Sequence, residues 1–112
     1  MFNYIIIANK RFKDFDFLQE KLDVLLASRK GSTNLWVYGY TEKDKTEKNI
    51  CNLVSKYCNW NGISLHTLME EELDDKDLDD IIVFESEEDQ FLRKTKKDLW
   101  KFERYKPIEY KI

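Results

Sequence analysis

The sequence predicts an α/β protein with a Rossmann-like fold: a three-layer sandwich with a mainly parallel sheet of about five strands. Short apolar runs rich in β-branched residues alternate with amphipathic helical patterns, which is typical of βαβ units. Hydrophobic residues make up 42% of the chain and aromatic residues 14%, enough for a packed core. With 112 residues, we expect one domain that spans 1–112.

The first half of the chain predicts two strands and two helices. Residues 3–8 (NYIIIA) form a β-branched run typical of a strand that is buried on both faces. A first helix then begins at an N-cap, Asp14 or Asp16, and Lys30–Gly31 closes it. Residues 34–38 (NLWVY) predict the second strand. The second helix ends at Asn61–Gly62, and its apolar stripe comprises Ile50, Leu53, Val54, Tyr57 and Cys58.

The second half predicts three more strands and one long helix. Residues 63–68 (ISLHTL) and 81–84 (IIVF) predict strands three and four, and residues 108–112 a last strand. The acidic connection between strands three and four has only Leu73 and Leu78 as apolar anchors, so we expect an extended, solvated loop. The final helix is predicted from Glu87 to Tyr105. We expect the first four strands to be parallel and central, because their apolar runs need cover on both faces.

Composition excludes several classes of protein. No apolar run approaches the roughly 20 residues of a membrane span, and the N-terminal run is too short for a signal-peptide core. Cys51 and Cys58 are seven residues apart on one helix, too far for a disulfide, so we expect free thiols and a cytoplasmic location. His66 is the single histidine and no C-x-x-C pair exists, so no metal site and no cofactor are expected.

Charge is strongly segregated along the chain. Residues 70–89 contain twelve acids against Lys76, a net −11, whereas residues 90–112 carry a net +5. Such blocks can steer a protein partner to an acidic surface. The alternative is that the acidic loop lies near the basic final helix and each offsets the other. The predicted partner-binding residues are Glu70, Glu71, Glu72, Asp74 and Asp75.

A ligand site is predicted where the parallel strands end. Ligands of open parallel sheets bind outside the carboxyl ends of the strands. The side chains expected there include charges and a hydroxyl that could hold a phosphate. Neither G-x-G-x-x-G nor a Walker A motif occurs in the chain. The candidate ligand-binding residues are Asn9, Lys10, Arg11, Gly39, Thr41 and Asp44.

The segment IIIANKRFKDFDFLQEKLDVLL resembles the opening of the SLOG superfamily, in its small stand-alone YspA-like branch. Asn9, Lys10 and Arg11 lie where that branch carries G-S-R, so only the Arg matches, and Phe12 and Asp14 match its aromatic residue and its Asp. LWVYGYTEKD resembles the second-strand motif, with Gly39 and Asp44 at the matching glycine and Asp. The resemblance implies a Rossmann-like sheet with an ancestral nucleotide pocket. Most of the phosphate-contacting glycines of that family are replaced here, which implies a degenerate pocket.

Nucleic-acid binding and catalysis are not expected. The lysines of the final helix lie opposite its apolar residues, as in an ordinary solvated face, and the isoelectric point is near 5.3. His66 in mid-strand is interpreted as structural, and no catalytic residue is assigned.

The sequence therefore predicts a non-enzymatic accessory or regulatory protein that binds a partner protein on a degenerate nucleotide-binding scaffold. The alternative is a nucleotide-binding sensor or sequestering protein that uses the loops after strands one and two. The small size, a composition rich in Lys, Asn, Ile and Tyr, and the eroded motif suit a bacteriophage protein that acts in the host cytoplasm.

Overall fold

The fold is a five-stranded, all-parallel sheet with helices on both faces, seen in a computed structural model. The structure describes residues 1–37, 50–68, 71–87, 89–99, 102 and 106–111. The strands are β1 (Phe2–Ala8), β2 (Thr33–Val37), β3 (Ser64–Thr67), β4 (Asp80–Glu85) and β5 (Ile108–Lys111). The α-helices are α1 (Phe15–Leu26), α2 (Ile50–Asn61) and α3 (Gln90–Asp98). The predicted α/β, Rossmann-like class is confirmed.

The sheet has the strand order β3-β2-β1-β4-β5. In β1, Ile5 pairs with Trp36 of β2 on one side and with Ile81 of β4 on the other. The apolar run over residues 5–8 of β1 is explained by this central position, because its side chains are covered on both faces of the sheet. The prediction that strand three is central is wrong, because β3 forms an edge. Its side chains are accordingly half-buried or exposed.

Alternation along the strands divides the interior into two cores. The first core lies under α1 and α2 and includes Ile6 of β1, Leu22 of α1 and Val54 of α2. The second core lies on the other face, under α3 and the connection between β3 and β4. Its residues are Ile5, Ile7, Trp36, Leu73, Leu78, Ile81, Val83, Leu92, Leu99 and Phe102.

The first helix is shorter than predicted. α1 begins after the Asp14 N-cap, whose carboxylate accepts from the Phe17 N–H at 3.0 Å. It ends at Leu26 rather than at Lys30–Gly31, because Ala27 takes a positive φ of 41° and breaks the α-helical hydrogen bonding. A 3₁₀ helix over Ala27–Ser32 then leads into β2. At the end of α2, by contrast, Gly62 has a φ of +65° and terminates the helix as predicted.

The last helix is also shorter than the predicted Glu87–Tyr105 span. Asp89 caps α3, since its carboxylate accepts from the Leu92 N–H at 2.7 Å, so the helix begins at Gln90. It ends at Asp98, and beyond it the Phe102 N–H donates to the Leu99 carbonyl at 2.9 Å. The Leu99 and Phe102 side chains are both buried in the second core.

The acidic connection is packed rather than extended and solvated. It contains a 3₁₀ turn over Asp75–Asp77, and Leu73 and Leu78 on either side of the turn are 5% and 4% exposed. Burial of the two leucines therefore outweighs the repulsion among neighbouring carboxylates. Within the described residues, no helix is long and apolar enough to cross a membrane.

Candidate functional site

The carboxyl ends of β1 and β4 meet at the point where the strand order reverses, the usual ligand position of such sheets. Asn9 follows β1 there and is completely buried. Its side-chain oxygen accepts from the Ser86 N–H at 2.6 Å and from the Glu87 N–H at 3.2 Å. Its side-chain nitrogen donates to the Glu87 carbonyl. Backbone donors that could hold a phosphate at this point are therefore already bonded to the Asn9 amide.

The helix N-termini beside this crevice are capped by the chain's own carboxylates. Asp14 caps α1, and Asp89 caps α3 while also accepting from the Lys10 backbone N–H at 3.1 Å. Helix N-termini bind anions because their first N–H groups are unpaired and their dipole is positive. Here aspartates supply that negative charge from within the chain.

The other predicted ligand residues lie partly outside the described part of the chain. Lys10 and Arg11 follow Asn9 in an exposed turn. The positions of Gly39, Thr41 and Asp44 fall outside the described residues. Of the six predicted residues, the structure therefore gathers three after β1.

The acidic segment, defined here as residues 71–80, forms a fixed surface on the second face of the sheet. It contains seven acids against Lys76. Glu71, Glu72 and Asp74 are exposed and Asp75 is half-buried, whereas Glu70 lies outside the described residues. The Lys76 backbone N–H donates to Asp74 and lowers the pKa of that carboxyl. The four predicted partner-binding residues that are described thus lie along one stretch whose two leucines are buried in the second core.

A row of side chains with polar groups is hydrogen-bonded to both ends of the acidic segment. The row consists of Asn3, Asn34, Trp36 and His66. The row crosses β1, β2 and β3 on the second face. Trp36 Nε1 donates to Asn3 Oδ1 at 3.0 Å, and Asn34 Nδ2 donates to the same oxygen at 3.2 Å. The Asn3 amide nitrogen is thereby directed to the Asp77 carbonyl, to which it donates at 3.1 Å.

At the other end of this row, His66 reaches the start of the acidic segment. Its ring stacks on Trp36 with centroids 4.6 Å apart. Nε2 lies 3.2 Å from Asn34 Oδ1, and Nδ1 lies 2.7 Å from Glu71 Oε2. The His66 ring is thus held by Trp36, Asn34 and Glu71, which is consistent with the structural role expected of it.

The end of the segment is bonded directly to the backbone of β1. The Asn3 N–H donates to Asp79 Oδ2 at 2.7 Å, and the Asp79 N–H donates to the Asn3 carbonyl at 2.8 Å. The geometry of the segment is thus set at both ends by groups of the sheet.

A basic surface lies beside the acidic segment on the same face of the sheet. α3 buries Leu92 and Thr95 and turns its cations to solvent. Lys96 pairs with Glu109 of β5 at 3.1 Å. A shallow open depression on the outer side of the helix is lined by Gln90, Arg93, Lys94 and Lys97.

An aromatic patch lies on the opposite face of the molecule. Trp60 of α2 is 64% exposed and meets Phe15 of α1 edge-on, with ring centroids 5.5 Å apart. Lys56 lies over both rings, at 4.3 Å from Phe15 and 4.7 Å from Trp60. An exposed tryptophan of this kind is typical of residues that anchor protein partners.

The thiols do not form a reactive site. Cys51 and Cys58 are free, as predicted, and both are buried. Burial raises the pKa of Cys58 to about 12, so its thiolate is scarce at neutral pH. Across the described ranges, no three His, Cys, Asp or Glu side chains are grouped to hold a metal ion.

Sequence reasoning missed the polar row and its connection to the acidic segment. Asn3 and Asn34 each stand at the start of an apolar strand, where asparagine is disfavoured. An asparagine at the start of an apolar strand is therefore the feature of the sequence that could have indicated the row. The row itself could not be predicted, because it depends on the strand register that pairs Asn3 directly with Asn34.

Comparison with protein-family models, with curated proteins and with solved structures found no match. The SLOG resemblance therefore stays a prediction.

Proposed function

We propose that the protein is a non-enzymatic accessory or regulatory protein that binds a basic surface of a partner protein through its acidic segment. The observation that supports this most is the segment's fixed geometry. Glu72, Asp74 and Asp77 are exposed, whereas Leu73 and Leu78 are buried. The two ends of the segment are bonded to His66 and Asn3.

Fixed geometry matters because ordering a flexible loop on binding would cost free energy. A segment that is already ordered loses less conformational entropy when a partner docks. Its charges also act before contact, since complementary fields raise the rate of encounter. Glu72 and Asp77 suit this role best, because they are exposed and make no ion pair within the described part of the chain.

The alternative, a nucleotide-binding protein, has weaker support from the geometry. Lys10 and Arg11 are exposed beside the crevice, as a phosphate site would require. However, Asn9 occupies the backbone donors of the turn after β4, and Asp14 and Asp89 occupy the helix N-termini. A phosphate would meet two carboxylates where it needs donors.

We place this function on a degenerate SLOG-like scaffold in the cytoplasm, in the host cell if the chain is phage-encoded. The buried free cysteines support a reducing compartment.

The test is binding of a fluorescent decalysine peptide, measured by stopped flow at low salt. Glu72→Gln with Asp77→Asn removes two exposed charges of the acidic segment and should slow association about three-fold or more, with less change in dissociation. The matched control is Asp16→Asn with Glu20→Gln, which removes the same charge from the exposed side of α1.

The control variant should associate at nearly the wild-type rate. Equal slowing by both variants would show that only net charge matters, and the proposal would then fail.

A further inference from the structure

We propose that the second face of the sheet is self-complementary and pairs with the same face of a second copy of the chain, in a weak two-fold dimer. The inference rests on the proposed function, since it makes a second copy one partner of the acidic segment. The observation that supports it is that the acidic segment and the basic α3 lie beside each other on this face.

The topology fixes the order of the two surfaces across that face. The acidic segment leaves the edge strand β3 and crosses to β4 over Trp36 of β2 and Ile5 of β1. α3 follows β4 and leads to β5, at the other end of the sheet. One half of the face is therefore acidic and the other half basic.

A symmetric dimer that joins these faces has its two-fold axis in the interface. If the axis runs across the strands, each acidic segment meets its own copy, and like charges repel. If the axis runs parallel to the strands, each acidic segment meets α3 of the other copy. The charges therefore select the second arrangement, in which the strands of both sheets run in the same direction.

The two surfaces are complementary in charge. On α3, Lys94 and Lys97 line the shallow depression and make no ion pair within the described ranges. Glu72 and Asp77 project from the opposing segment and are likewise unpaired among the described residues. The dimer thus forms two equivalent sets of contacts between carboxylates and lysines.

The area of one face is sufficient, whereas its composition keeps the affinity low. A standard interface buries about 800 Å² of each partner. The accessible surface of the chain is 6693 Å², so this area is less than a sixth of it and fits on one side of the molecule. The large hydrophobic side chains exposed in the described part of the chain are Met1, Val24 and Trp60, and the last two belong to helices on the other face. An interface to which the described residues contribute mainly charged pairs is weak and sensitive to salt.

The test is sedimentation velocity at about 50 mM and about 500 mM NaCl, where the screening length differs about two- to four-fold. The wild type should move from the monomer mass of 13.6 kDa toward twice that mass at low salt, and return at high salt. Lys94→Glu with Lys97→Glu reverses two charges of the basic half, and Glu72→Lys with Asp77→Lys reverses two charges of the acidic half. Each variant alone should stay monomeric at low salt.

Mixing the two variants should restore the dimer, because each acidic half then meets a basic half. The matched control is Asp16→Lys, Glu20→Lys, which has the same net charge as the Glu72→Lys, Asp77→Lys variant but leaves the second face unaltered. By itself it should dimerise at low salt as the wild type does, whereas Glu72→Lys with Asp77→Lys should not.

A monomeric wild type at low salt, or a mixture that does not dimerise, would overturn the dimer. The Lys94→Glu, Lys97→Glu variant keeps the acidic segment intact, so its binding to decalysine tests the proposed function separately. A wild type that stays monomeric at low salt, with decalysine binding retained, would reject this inference alone.

Discussion

Asn9 stands at the ligand position of the fold but bonds to the chain itself. Its amide joins the turn after β1 to the turn after β4, with Ser86 and Glu87 as donors. A side chain that is fully buried and fully bonded is part of the structure. Asn9, a predicted ligand-binding residue, thus links the two turns that border the crevice.

Replacing Asn9 with Ala should lower the free energy of unfolding by about 1–3 kcal/mol, because the Ser86 and Glu87 N–H groups lose the acceptor that this buried side chain provides. Urea denaturation measures the change. Arg11→Ala, in the exposed turn nearby, should shift it by less than about 0.5 kcal/mol. Equal effects at the two positions would contradict the assigned role of Asn9.

At the scale of elements, capping residues decide where the helices begin. Asp14 and Asp89 each accept a hydrogen bond from an N–H of the first turn. Their surroundings differ, because Asp89 also accepts from the Lys10 N–H and so ties α3 to the turn after β1. The ends of the helices depend on other causes, a strained backbone at Ala27 and tertiary burial at Leu99.

Asp14→Ala should destabilise the protein by about 1 kcal/mol, the usual effect of losing an N-cap. Asp89→Ala should cost more, because it removes two hydrogen bonds instead of one. Thermal denaturation of both variants at the same pH measures the difference. An Asp14 effect as large as or larger than the Asp89 effect would show that the link to Lys10 contributes nothing.

At the scale of the whole molecule, strand order decides which parts of the sheet are protected. β1 is central and almost entirely buried, whereas β3 and β5 are edges with half-exposed side chains. The acidic segment covers part of the second face, so it protects β1 and β2 as well as presenting charge.

Native-state hydrogen exchange should therefore be slowest in β1 and β4 and fastest in β3 and β5, because edge strands open without breaking the rest of the sheet. Mass spectrometry of peptides that cover each strand measures the rates. Protection of β3 equal to that of β1 would be inconsistent with this strand order.

The sequence by itself determined the elements that local chemistry controls. Apolar runs such as 3–8 and 81–84 identified strands, Gly62 identified the end of α2, and the spacing of Cys51 and Cys58 identified free thiols. These predictions hold because side-chain burial, backbone conformation and helix geometry act over a few residues.

Only the tertiary structure decided strand order, the early ends of α1 and α3, and the placement of the acidic segment. Repulsion among neighbouring acids predicts an extended loop, but burial of Leu73 and Leu78 and the bonds from Asn3 and His66 hold the segment on the sheet. Those partners are distant in sequence. Their contribution depends on the register that aligns Asn3 with Asn34 and Trp36 with His66, and local patterns contain no information on that register.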